Sequence, residues 1–166
     1  MRRRHVVVPI GLLALSVVGC KKTPPAPTPP PPPPGETASE TTRILTAEVG
    51  NLIHFDFDRS EIKPEYHAVL DRKAEIMRAN PALRIRISGH ADERGSDEYN
   101  LVLGNQRALA AKTYLQGRGI DGNRIEVTSY GEERPLERAS TEEAWAQNRR
   151  DEFEILAGGN QLVRPK

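Results

Sequence analysis

Apolar and polar positions alternate over residues 52–58, where Leu52-Ile53-His54-Phe55-Asp56-Phe57-Asp58 shows from Ile53 onward the period of a half-buried strand. Arg59-Ser60 breaks the pattern. Pro64 suits the first turn of a helix, where its missing N–H costs nothing, and Tyr66, Val69, Leu70, Ala74 and Met77 then fall on one helical face. Asn80-Pro81 stops that helix. Residues 83–89 alternate again, with Leu83, Ile85 and Ile87 on one side and Arg84, Arg86 and Ser88 on the other. A polar loop follows over 89–97. A long helix is predicted from about Glu98 to Arg118, with Leu101, Asn105, Ala108, Ala111 and Leu115 as its inner stripe and small Gly104 and Ala108 allowing close approach to a sheet. Gly117 and Gly119 end it. A third strand over 124–129, a short helix capped by Thr141 and a last strand through Phe153 and Ile155 complete the pattern.

The order β-α-β-α-β-(short α)-β places the chain in the α/β or α+β class, with two main helices on one face of a four-stranded sheet. Strand order does not follow from the pattern. Aromatic residues make up 5% of the chain and charged residues 28%, so the core must be aliphatic. The formal charge is +1, but with Arg2, Arg3 and Arg4 removed ahead of Cys20 the remaining 21 cations face 23 acids, about −2, a balance that argues against a general nucleic-acid binder. Cys20 is the only cysteine, which excludes an intramolecular disulfide, and none of His5, His54, His67 and His90 stands close to another.

The first residues read as an address. Arg2, Arg3 and Arg4 precede an apolar run from Val6 to Val18, too short for the ~20 residues a spanning helix needs. Residues 1–19 are therefore expected to be a secretory signal. Leu15-Ser16-Val17-Val18-Gly19-Cys20 resembles a bacterial lipobox, which makes Cys20 the expected acylation site, and Lys21 in place of Asp favours the outer membrane over retention at the inner one. Several acyl chains would anchor firmly where one would not. Residues 20–43 are expected to be the acylated cysteine and a linker. Nine of the 14 prolines lie between Pro24 and Pro34, and such a segment favours an extended polyproline spacer, able to span roughly 60–70 Å over 20-odd residues, over a docking motif. Residues 44–157 form the expected globular domain, and 158–166 a polar tail.

Chemistry concentrates in residues 88–107, S-G-H-A-D-E-R-G-S-D-E-Y-N-L-V-L-G-N-Q-R. Asp92 lies in the loop and Arg107 about 13 Å along the following helix, so the loop must fold back for the two to meet, which Gly89 and Gly95 make easier. If they meet, they form either a salt bridge pinning loop to helix or a site for a zwitterion, the carboxylate taking an ammonium and the guanidinium forking onto a carboxylate. His90 and Asp92 also form an H-x-D pair, with Glu93 beside it, which leaves open a hydrolase metal site. No third ligand lies near in sequence, and no Ser or Cys nucleophile has an evident base. Arg149 and Arg150, in Asn148-Arg149-Arg150, either serve the same loop or cap the sheet.

The run G-H-A-D-E-R-G-S-D-E-Y-N-L-V-L-G-N-Q-R-A resembles the signature of the OmpA-like peptidoglycan-binding domain, in particular its lipoprotein branch, where Ala91 replaces the threonine of the wider family. The similarity extends to I-H-F-D-F-D, Y-L-Q-G-R-G-I, S-Y-G-E-E-R-P and N-R-R, covering roughly residues 52–155. It implies a four-stranded mixed sheet in βαβαβ-(α)-β order and non-catalytic, non-covalent binding, with no cofactor and no metal. It further implies that Asp92 and Arg107 hold the free end of meso-diaminopimelate in the peptide stem, with Phe57, Asp58, Asn100 and Leu103 lining the cleft. The implied partners are peptidoglycan, the outer membrane through the lipid on Cys20, and the periplasmic propeller protein of the Tol system. The alternatives to wall binding are a metal-assisted cell-wall hydrolase using His90, Asp92 and Glu93, or a periplasmic adaptor whose main ligand is protein. Asp97, which makes the loop more acidic than usual, and the polar tail are departures from the family pattern. Loss of Asp92 or Arg107 is expected to abolish binding and leave the fold intact.

Overall fold

A computed structural model of the chain describes residues 37–166. The signal at 1–19, Cys20 and the proline-rich run lie outside the described residues. The described chain runs α1 (Ala38–Gly50), β1 (Ile53–His54), a 3-10 turn (Pro64–Tyr66), α2 (His67–Ala79), β2 (Arg84–His90) and α3 (Asp97–Gly117). A second 3-10 turn (Gly122–Arg124), β3 (Ile125–Gly131), α4 (Glu142–Asn148) and β4 (Arg150–Ala157) follow. The four strands form one mixed sheet in the order β1-β4-β2-β3. β2 and β3 are parallel, with Ile87 opposite Val127 and Gly89 opposite Ser129. β4 lies antiparallel between β1 and β2. The last strand in sequence therefore sits in the interior of the sheet and brings Arg149 and its neighbours beside the loop that follows β2.

The first strand is shorter than its alternation suggests. Beyond Phe55, whose N–H still reaches the Arg149 carbonyl at 3.0 Å, the chain leaves the sheet through a turn in which Asp58 takes a φ of 54°. Aspartate is among the few residues that tolerate that conformation.

The boundaries expected at the two ends of the domain are corrected. α1 begins at Ala38, inside the segment read as linker, because Thr37 caps it by accepting from the Glu40 N–H at 3.3 Å and because Leu45 and Val49 have a core to enter. The tail is not a free polar extension either. Leu162 is buried, its N–H donates to Thr42 Oγ1 at 3.1 Å, and the Val163 N–H donates to Asn80 Oδ1 at 2.8 Å. The two ends of the domain hold each other.

α1 is fastened by an unexpected group. Lys73 of α2 is fully buried, and its ammonium donates to the carbonyls of Val49 (2.6 Å), Asn51 (2.7 Å) and Glu48 (3.2 Å) while lying 4.0 Å from the centre of the Phe153 ring. Three donors meet three acceptors at a helix C-terminus, where carbonyls otherwise lack partners and cations are favoured. Burial pulls its pKa down to about 7. Lys73→Met keeps the stem and removes the donors, so it should cost about 2 kcal/mol of stability and speed amide exchange in α1 first. Urea unfolding and hydrogen exchange check this; a neutral or stabilising result would mean the carbonyls do not need the ammonium.

The core lies between the sheet and its helices, with Ile85 and Ile87 of β2, Leu70, Ala74 and Met77 of α2, and Ala108, Ala111 and Leu115 of α3. α3 approaches β2 where two glycines face each other: a Cβ on Gly89 would stand 1.8 Å from the Gly104 carbonyl oxygen. The buried face of α3 differs from the predicted stripe at its N-terminal half. Leu101 and Asn105 are exposed, while Asn100, Leu103 and Arg107 turn inward. Polar residues are buried on that face because it borders a cleft, and the helix sets its hydrophobic side only from Ala108 onward.

Candidate functional site

Ser96 opens α3 by accepting from the Tyr99 N–H at 3.3 Å, so Asp97 belongs to the first helical turn, where an acidic residue is favoured, and not to the loop proper. The preceding loop is folded back over the helix by Asn100. Its side-chain amide donates to the carbonyls of Asp92 (3.0 Å) and Arg94 (3.2 Å) and to Glu132 (2.5 Å). Gly95, with a φ of 117°, makes the bend that such folding needs.

The folded loop, the turn after β1 and the N-terminal half of α3 enclose a cleft of about 220 Å³. All six side chains named from the resemblance line it: Phe57, Asp58, Asp92, Asn100, Leu103 and Arg107, joined by Arg94, Gly95 and Tyr99. That volume is below the ~300–1,000 Å³ of a drug-sized site and suits the end of one amino-acid residue. Phe57 stands out from the surface, 55% exposed, as the cleft's apolar wall. Tyr99 donates its hydroxyl proton to Asp58, which ties α3 to the turn opposite.

Asp92 and Arg107 share this cleft but form no ion pair with each other. Arg107 is fully buried and spends its guanidinium on backbone: Nη1 donates to the His90 carbonyl at 2.7 Å, Nε to Arg59 at 2.8 Å and Nη2 to Asp56 at 3.2 Å. Three of its five N–H groups are committed, leaving one on each Nη, the arrangement that takes a carboxylate with both oxygens. Burial pulls its pKa down to about 10, so it stays cationic at neutral pH. The direct Asp92–Arg107 bridge considered from sequence is therefore corrected. Each charge is held by other groups, because Arg107 is pinned at the helix surface by carbonyls from the end of β2 and the turn after β1.

Asp92 is held by two other arginines. Oδ1 accepts from the Arg94 backbone N–H (3.1 Å) and from Arg94 Nε (3.0 Å); Oδ2 accepts from Arg94 Nη2 (2.7 Å) and Arg149 Nη1 (3.1 Å). Burial pushes the Asp92 carboxyl up, but these bonds outweigh it and hold it below its ordinary range. The Arg94 guanidinium lies 4.0 Å from the centre of the Phe57 ring and 4.1 Å from that of Trp145. Sequence reasoning passed over Arg94, although a cation two residues after a loop aspartate is the local signal for such a pair. Arg149 also donates to Phe55 O (3.1 Å) and Glu142 Oε1 (2.8 Å), so it serves the loop from behind the cleft. Arg150 bonds Glu152 and the carbonyls of Asn148 and Arg134 and does not line the cleft.

His90 does not face Asp92. Gly89 points at α3, and the next side chain points to the opposite face of the sheet. There His90 packs against Tyr130, with ring centres 5.5 Å apart, and Nε2 stands 3.8 Å from Glu152. Burial lowers its pKa to about 4, which leaves the ring neutral at neutral pH. Among the described residues no three His, Cys, Asp or Glu side chains come together as a metal-binding group. Glu93 accepts from Trp145 Nε1 at 3.0 Å. Among the described residues no helix is long and apolar enough to cross a membrane.

Comparison with known proteins gives consistent matches. The sequence pattern of the OmpA family matches residues 54–149. The peptidoglycan-associated lipoprotein of Rhizobium meliloti (strain 1021) is 38% identical over 150 residues, covering 89% of this chain and 85% of that protein. Among solved structures, the peptidoglycan-associated lipoprotein from Burkholderia pseudomallei is 38% identical, with a TM-score of 0.62, over 63% of this chain and 88% of that one. The C-terminal domain of Helicobacter pylori MotB, at 20% identity and a TM-score of 0.58, covers 63% of this chain and 83% of that one and shares the fold.

Proposed function

The chain belongs to the OmpA family, and from that premise we propose that it binds peptidoglycan non-covalently, gripping the free amino-acid end of diaminopimelate in the stem peptide. The observation that carries this reading is the pairing of a buried anion and a buried cation on one small cleft. Arg107 offers two parallel N–H groups to the ligand carboxylate. Asp92 is to receive the ammonium, but its four acceptor positions are filled. Arg94 is the partner that yields, because its side chain is 29% exposed while that of Arg149 is 7% exposed. Its departure opens one position on each Asp92 oxygen and leaves the backbone N–H and Arg149 holding the carboxylate in place. Leu103 and Phe57 pack the ligand's methylenes, and Asn100 and Asp58 act by holding the loop and the turn. No bond is made or broken.

The proposal extends to location and partners. Acylation at Cys20 anchors the protein on the periplasmic face of the outer membrane, the proline-rich segment spans toward the wall, and the domain ties the two together. The names of its relatives, peptidoglycan-associated lipoproteins, support this. The periplasmic propeller protein of the Tol system is the proposed protein partner, competing for an overlapping surface in envelope integrity and cell division. A hydrolase reading finds no support at this cleft, since His90 lies on the other face of the sheet.

The test is a titration of residues 37–166 with stem peptides ending in diaminopimelate or in lysine. Lysine lacks the second carboxylate, so Arg107 loses its ligand, and affinity should fall at least tenfold. Equal affinity for the two peptides would overturn the reading.

A further inference from the structure

Among the buried charged side chains at the cleft end of the sheet, Asp92, Arg107, Arg149 and Asp151 lie toward the cleft and α3, while Arg150 is turned to Glu152 and the carbonyls of Asn148 and Arg134. Asp92 and Arg149 are paired directly. Asp151 is not used by the binding scheme above. It is the second residue of β4, in register with Gly89 of β2 and Ile53 of β1, so its side chain lies on the face that carries Ile53 and Phe153, under α3. It is fully buried, and neither carboxylate oxygen has a hydrogen-bond partner among the described residues. An ionised carboxylate in such a place is costly unless a cation compensates it. The charged groups on the surrounding elements are Arg107 on α3, Asp92 and Arg149 in the flanking segments, Asp58 after β1, and Lys73 on α2; His90 of β2 faces away. Burial raises the Asp151 carboxyl well above its ordinary range, and Arg107 is the charge that opposes the rise. In return, among the charges that support the Arg107 cation, Asp151 comes ahead of Asp92.

We propose that Asp151 is the internal counter-charge of Arg107, and that a ligand carboxylate on Arg107 takes over this role only as Asp151 takes up a proton. The inference rests on the reading that Arg107 binds the ligand's acid end. Two carboxylates around one guanidinium repel each other, and in a buried site one of them is driven to its neutral form. The ligand carboxylate keeps solvent on one side and two N–H donors on the other, whereas Asp151 has neither. The proton therefore passes from solvent to an Asp151 oxygen, and the ligand remains ionised. Asp151 does not touch the ligand; it acts through Arg107 as a positioning residue, setting how much of the cation's field reaches the cleft.

The experiment is calorimetric titration of the full chain in detergent micelles with a diaminopimelate-ended stem peptide, across pH and in buffers of different ionisation enthalpy. The wild type should take up a fraction of a proton approaching one, and its affinity should fall toward tenfold per pH unit where Asp151 is ionised in the free protein. Asp151→Asn should bind with affinity flat across that range and take up no proton there. A second readout needs no ligand. The raised pKa means that Asp151 adds stability below the ordinary carboxylate range, which is lost as pH rises toward the folded value. The wild type should show that loss and Asp151→Asn should not; Asp151→Leu replaces it if the asparagine variant does not fold. Binding without proton uptake, or an unchanged pH profile in the variant, overturns the inference and leaves the binding reading standing. Failure of the wild type to bind overturns both.

Discussion

Asp92→Asn should abolish co-sedimentation with diaminopimelate-containing peptidoglycan, a loss of about a hundredfold or more in affinity. Removing one member of a buried, hydrogen-bonded charge pair costs ~2–5 kcal/mol, and each 1.4 kcal/mol is about tenfold. Asparagine keeps the shape of the side chain and one acceptor, which in the place of Oδ2 still accepts from Arg94 Nη2 and Arg149 Nη1, so the domain should stay folded. Arg107→Ala should abolish binding as well, but not with the fold intact, as the sequence alone led us to expect. Among the described residues Arg107 is the only side-chain donor to the carbonyls of Arg59, His90 and Asp56; Asp56 keeps the Arg59 N–H at 3.3 Å, but loss of the buried donor to His90 costs about 1–3 kcal/mol. The two variants thus separate binding from folding, and urea unfolding alongside the sedimentation assay reads the difference. Acid supplies a further mark. Because the folded pKa of Asp92 is depressed, its contribution to stability is complete above the ordinary carboxylate range and is lost as pH falls through the folded value; Asp92→Asn should lack that component. Unchanged co-sedimentation of Asp92→Asn would remove the basis of the proposed function.

Much of this site could be read from the sequence because it rests on local patterns. Strand alternation located β2, helical spacing located α3, and Thr141 caps α4 as expected, accepting from Ala144 at 3.4 Å. Asn100, Leu103 and Arg107 share a helical face, so once the helix was placed, their convergence on one cleft followed. What was not legible depends on partners distant in the chain. Lys73 reads as an exposed helix lysine until the end of α1 is seen to lie over it. α1 itself carries a Thr37-x-x-Glu40 cap signature, masked by the proline-rich composition just before it. Asp151 stands in a strand of alternating polar and apolar residues, but on the side that faces the helices. Nothing in the alternation distinguishes a buried carboxylate from a misjudged register; only Arg107, arriving from another element, gives it a reason to be there.

The close contact of α3 with β2 ties these observations to the second large effect. Gly89→Ala should destabilise the domain by about 3 kcal/mol or more and weaken ligand binding through displacement alone, without touching a contact residue. The added carbon would lie 1.8 Å from the Gly104 carbonyl oxygen and 2.6 Å from its carbon. Both are backbone atoms of a helix, so no side chain can rotate aside; α3 must lift from the sheet. Arg107 stands three residues on, and its bonds to His90, Arg59 and Asp56 span strand and turn, so lifting the helix stretches all three together. Gly104→Ala meets a different obstacle. Its carbon would lie 2.4 Å from Ser129 Oγ and 2.8 Å from the Gly89 oxygen, and the nearer atom belongs to a side chain whose hydroxyl bonds, to Gly89 O at 3.4 Å and from the Gly131 N–H at 3.2 Å, are long. Gly104→Ala should therefore cost less than Gly89→Ala, and adding Ser129→Ala should restore part of its stability while doing nothing for Gly89→Ala. Urea unfolding of the four variants, with stem-peptide titration of those that fold, reads this order. Equal losses for the two glycines, or rescue of Gly89→Ala by Ser129→Ala, would show that the helix and strand yield elsewhere and that their contact does not set the position of Arg107.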